Sequence, residues 1–178
     1  MNDTKRLRQL EVIGIIFVIA AGTLAHFVYD WTGRLEIIGL FFAKNESTFE
    51  HLKLLFYPFL LYSVLEYCLL IHDSLTDYAQ KLPCGKFFGL LAGLLSIITL
   101  FYTYTGVFGK SILIVDISIF ILAVIISFMV SYYLITHETC LCRANPGVYI
   151  TAAEILILCF IWFSIRPPEI PLFLPPEN

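Results

Sequence analysis

Residues 112–135 read ILIVDISIFILAVIISFMVSYYLI, twenty-four positions with Asp116 as the one charged side chain. A run this long and this apolar is a helix sized to the hydrocarbon core of a bilayer, which is about 30 Å thick and needs about 20 residues at 1.5 Å each. Outward from it, comparable runs fall at about 12–29, 48–71, 87–108 and 148–165. The chain therefore reads as one all-α transmembrane bundle of about five helices with a non-helical, Pro-rich tail over 166–178. The first run could also be a cleaved secretory signal, but it continues past Ala20-Ala21-Gly22 through Thr23 to Val28, so the reading is a retained helix.

Composition agrees. Of 178 residues, 59% are hydrophobic, 16% aromatic and only 14% charged, at a mean hydropathy of +0.85. A soluble body of this size has too much surface to hide so much apolar area. A net charge of −3 without a long run of one sign excludes a nucleic-acid footprint or a polybasic membrane-surface arm, and leaves the lipid bilayer as the expected partner.

Lys5, Arg6 and Arg8 place the N-terminus in the cytoplasm, with Lys81, Lys86 and Arg143 on the same side. Arg34, Lys44, Lys53, Lys110 and Arg166 fall opposite. Gly89-xxx-Gly93 with Ser96, and Ala123, Ser127 and Ser131, mark faces for close helix packing within the bundle; a homo-oligomer or a membrane partner through those faces is the lesser reading. Pro58 should kink the second helix, and Trp31 and Trp162 suit membrane interfaces.

Five cysteines, two inside apolar runs, argue against a disulfide framework. Cys140-Leu-Cys142 after His137 lacks the ligand count of a closed zinc site and reads as loop cysteines. Asn2-Asp-Thr4 and Asn45-Glu-Ser47 match the short glycosylation sequon, the second too near the bilayer to be used.

Ionisable groups at membrane depth are costly, so their positions carry functional information. His26 and Asp30 lie four apart on one helix face, across a loop from Asn45, Glu46, Glu50 and His51, and Asp116 opens the fourth helix on the same side. Two imidazoles and several carboxylates suit a divalent metal such as zinc, with His26, Asp30, Glu46, Glu50 and His51 as the ligand set. The competing reading is structural: Ser47 and Glu50 form a capping box, and Asp30, Glu46 and His51 are solvated. Glu66 and Glu154 fall in the other leaflet. With Asp116 they outline a polar track through the bundle, unless the two glutamates are simply hydrogen-bonded. Leu35–Ala43 is too short to span and too apolar for an open loop, and is expected to fold over the His26/Glu50/His51 cluster.

Three stretches, Leu24-Ala-His26-Phe-Val-Tyr29-Asp30-Trp31, Asn45-Glu46-Ser47-x-x-Glu50-His51-x-Lys53 and Pro167-Pro168-Glu-Ile-Pro171-Leu-Phe, resemble a family of small bacterial multi-pass membrane proteins of unknown function. The ending Leu174-Pro-Pro-Glu-Asn178 departs from it, since that family has an aspartate-containing continuation there. The resemblance implies a multi-pass fold in a bacterial cell membrane and puts the His26 to His51 cluster at its motif positions; it implies no activity. Three functions fit: an accessory subunit whose polar cluster shapes the bundle, a metal-dependent hydrolase of a lipid-like substrate with Glu46 or Glu50 as base, and a small proton- or cation-coupled transporter. The hydrolase lacks any HExxH or nucleophile motif, and the transporter lacks a visible internal repeat.

Overall fold

The computed structural model describes residues 3–137 and 139–175, so the Asn2 sequon and the tail's last residues, 176–178, lie outside the described residues. Five helices run α1 (Asp3–Trp31), α2 (Thr48–His72), α3 (Thr76–Phe108), α4 (Leu113–Thr136) and α5 (Pro146–Ile165), each long and apolar enough to cross a membrane. No strand occurs among the described residues. The chain is a multi-pass integral membrane protein.

Two helices begin earlier than their apolar runs. α1 starts at Asp3 rather than near residue 12, because Leu7 and Leu10 continue the buried stripe of Gly14, Val18, Gly22 and Ala25 at helical spacing. α3 starts at Thr76 rather than near residue 87 and runs straight through Pro83. Proline removes one hydrogen bond, but Ala79, Leu82 and Lys86 share the buried face, and their packing outweighs that loss.

Helices α1 to α4 close a ring in which each packs on its chain neighbour and α4 returns to α1, while α5 sits outside against α3. The α3–α4 seam is the closest approach. A Cβ on Gly89 would stand 2.4 Å from the Ser127 carbonyl oxygen, and one on Gly93 would stand 1.9 Å from Ser127 Oγ. The small-residue faces of α3 and α4 thus meet each other inside the bundle. In lipid no hydrophobic force drives two helices together, so backbone proximity and dispersion carry that seam.

Two elements fold over one end of the bundle. Ile38–Leu40 forms a 3-10 turn within the apolar segment 35–43, and its carbonyls hold groups from α2 beneath: Lys53 Nζ donates to Gly39 O at 2.9 Å and Tyr57 Oη to Leu40 O at 3.3 Å. The tail is not wholly extended: Pro171–Phe173 makes a 3-10 turn and buries Phe173 on Phe49, ring centroids 4.5 Å apart. At the other end Cys84 and Cys142 form a disulfide, contrary to the sequence expectation, pinning the α4–α5 loop to α3. Cys68, Cys140 and Cys159 are free.

Because the carbonyl facing Gly89 is main chain and cannot swing aside, Gly89→Ile is expected to destabilise the bundle by about 2 kcal/mol. Thermal unfolding in detergent checks this; an unchanged midpoint would mean that the seam is looser than described.

Candidate functional site

The candidate ligand set does not stay together. His26 and His51 stack with ring centroids 5.7 Å apart, and their Nε2 atoms lie 3.5 and 3.3 Å from the two oxygens of Glu46. The two imidazoles are part-exposed and Glu46 is exposed, and His26 Nδ1 is buried without a hydrogen-bond partner among the described residues. Asp30 turns away to the exposed Arg34, 2.8 Å from its Nε.

Glu50 is buried and committed elsewhere. Ser47 Oγ accepts the Glu50 amide at 3.4 Å, so the capping half of the motif forms. The Glu50 carboxylate, however, accepts from the Lys44 amide at 2.7 Å and from Lys53 Nζ at 2.9 Å. Lys53, one of the cations that the sequence places on the outer side, is only 1% exposed. Segment 35–43 therefore roofs Glu50 and Lys53, while the histidine pair stays beside it and part-exposed.

Asp116 accepts from the Tyr104 hydroxyl and from Ser111 Oγ, a short cap at the start of α4. Among the described residues no group of three or more His, Cys, Asp or Glu side chains is arranged to hold a metal ion. Geometry gives the hydrolase reading no support beyond the His26–Glu46–His51 contact.

The strongest polar group lies at the other end, and two of its three charged members lie outside the ligand set and the polar track read from sequence. Glu11 of α1, Glu66 of α2 and Lys86 of α3 are 4%, 0% and 4% exposed. Lys86 Nζ stands 2.9 Å from Glu11 Oε2 and 2.7 Å from Glu66 Oε2. Ser131 of α4 donates to Glu11 Oε1 at 3.0 Å, whereas Glu66 Oε1 has no hydrogen-bond partner. The ammonium lies 4.4 Å from the Phe128 ring centroid and 5.4 Å from that of Phe59, within cation–π range. Just outside, Arg6 Nε donates to Asp73 Oδ2 at 2.7 Å, joining α1 to the α2–α3 turn and holding the Asp73 carboxyl below its ordinary range.

Helical register builds this triad. Glu11 replaces an apolar residue in the α1 stripe, Glu66 follows Phe59 and Tyr62 on the buried face of α2, and Lys86 sits between Leu82 and Leu90. Charged residues on otherwise apolar stripes were the available signal. The remaining track residues do not join: Glu154 is exposed on α5 with no ion pair or hydrogen bond among the described residues, and Asp116 is at the far end.

The triad carries two carboxyls against one ammonium, away from water. Burying each ion costs several kcal/mol unless it is paired. Lys86→Met is expected to destabilise the protein by about 3 kcal/mol or more, as two facing carboxyls lose their counter-ion. The triple variant Glu11→Gln/Glu66→Gln/Lys86→Met should recover much of that. Denaturant unfolding of both checks it, and a harmless single variant would mean that Lys86 pairs with neither.

The chain matches the model of a family described as "Family of unknown function (DUF6512)" over residues 1–176. No curated protein and no solved structure matches it.

Proposed function

Since the chain belongs to the DUF6512 family, whose description carries no activity, we propose from its own residues that it is a small proton-coupled transporter of the bacterial cell membrane, with Glu11–Lys86–Glu66 as its proton site. One observation carries this: two buried carboxyls share a single buried cation, and Glu66 Oε1 faces no partner. With both carboxyls ionised the group holds one uncompensated negative charge in an apolar interior. One added proton makes it neutral and gives the carboxyl pair a donor. The His26–Glu46–His51 group supports the reading, since it supplies titratable groups at the other end of the same helices, fifteen residues away on α1 and on α2.

The accessory reading keeps one observation of its own: the triad also clamps three helices, which a purely structural ion pair would do. Infrared difference spectroscopy separates the two. A protonated-carboxyl C=O band that titrates and is lost in Glu66→Gln, together with pH-driven dye quenching in proteoliposomes that the same variant abolishes, is the expected result. A folded Glu66→Gln protein with the wild-type spectrum and flux would leave the structural clamp.

We propose a cytoplasmic N-terminus from Lys5, Arg6, Arg8, Lys81 and Arg143 at that end. The Cys84–Cys142 disulfide, at the same end, would then have to persist against a reducing cytosol. An impermeant maleimide on intact cells should accordingly leave the exposed Cys140 unlabelled; labelling from outside would reverse the orientation.

A further inference from the structure

Helices α2 and α5 meet at one end and part at the other. The Phe56 and Phe160 rings stack with centroids 4.0 Å apart near the α2 N-terminus. Toward the triad the two helices diverge, and α3 floors the gap. The result is a cleft of ≈ 420 Å³ whose walls include Leu60 and Tyr67 of α2, Phe87 of α3, and Tyr149, Ala153 and Glu154 of α5. Its volume is that of a small-molecule site. Lys86 also lines it, so the cleft and the buried triad share a wall.

The charge of that wall is one-sided. Lys86 is answered by Glu11 and Glu66 within 3 Å, and Glu154 has no ion-pair partner among the described residues. The cleft wall thus carries the unpaired carboxyl of Glu154 beside an ammonium already answered by two carboxyls, next to surfaces that are otherwise apolar and aromatic. A neutral lipid tail would leave this imbalance untouched, and an anion would worsen it. Tyr67, Phe87 and Tyr149 offer ring faces of the kind that attract organic cations.

We infer that the α2–α3–α5 cleft binds an apolar organic cation, with the exposed carboxylate of Glu154 as its first contact and the aromatic rings as its walls. The inference rests on the proton-site reading for one feature only: the cation and the proton would compete for the same excess of negative charge, so cation binding strengthens as pH rises.

The test is isothermal titration calorimetry of the detergent-solubilised full chain with tetraphenylphosphonium, at two pH values. Neutral triphenylphosphine serves as the uncharged control. The expected result is a single site, weakened tenfold or more in Glu154→Gln, lost in Ala153→Trp, and at least tenfold weaker for triphenylphosphine. Glu154 is exposed, so its variant should fold; thermal unfolding verifies both variants. Absence of binding, equal binding by Glu154→Gln, or equal binding of the neutral control would overturn the cation site, the last in favour of an uncharged lipid occupant. The infrared band of Glu66 on the same samples keeps the two readings apart. Titration without tetraphenylphosphonium binding sinks the cation site alone, and binding that ignores pH sinks the proton coupling alone.

Discussion

Lys86 has one place to put its charge. Its helix runs through the apolar interior, and the ammonium is met there by Glu11 from α1 and Glu66 from α2. Each contact fixes a rotation and a height, because a carboxylate moved by one residue on its helix swings about 100° away from the ammonium. Three helices are thereby set by one group. Ser131 adds α4 through Glu11, so every helix of the closed ring contributes to the same few cubic ångströms of polar space. Between helices in lipid, where apolar contact discriminates little, such polar pairing supplies the specificity that a water-driven core supplies elsewhere.

The same economy appears at the other end. Glu50 and Lys53 sit one turn apart on α2, and both are buried beneath the Ile38–Leu40 turn, whose Gly39 carbonyl takes the lysine. Without that cover the Glu50–Lys53 pair would face the interface, and the ammonium would lose its carbonyl partner. Gly39 suits the position because any Cβ there would meet the Lys44 side chain at 2.1 Å. Phe173 closes the neighbouring gap by seating the tail on Phe49 and Phe163. Loop, tail and two helix ends thus form one packed cap around one ion pair.

Hydropathy sufficed for the bundle because the decisive quantity, the length of an apolar run against a bilayer, is local in sequence. Gly89, Gly93, Ser127 and Ser131 were legible for a similar reason: small residues four apart say that something comes close, and the partner faces lay on consecutive helices. Glu11 and Lys86 were not legible by run length, since a charge ends an apolar run whether it meets water or a counter-ion. Both fall just outside the apolar runs 12–29 and 87–108, and Lys86 reads as one of the cytoplasmic-side cations. The helical stripe Leu7, Leu10, Gly14, Val18 shows that the α1 surface stays buried past Glu11, and periodicity is the local test that separates the two cases. Cys84 and Cys142, fifty-eight residues apart, were beyond any local test, as was the choice of Glu50 between Lys53 and a shared metal.

His26 to Glu11 on α1, and His51 to Glu66 on α2, each span fifteen residues, a rise of about 22 Å. The space between the two polar groups is filled by Leu55, Phe56, Phe59 and Phe128, all buried, with Phe59 and Phe128 in contact at 4.8 Å between centroids. These four side chains offer no partner to a passing proton, so charge cannot cross them without a rearrangement. The imidazoles of His26 and His51 are part-exposed, and Glu46 is exposed. The triad is buried, and its Lys86 lines the α2–α3–α5 cleft. On the proposed reading, a proton and an organic cation would therefore reach the triad by the same lateral opening. The aromatic layer would be the barrier that such a charge meets on the way to the other end of the molecule.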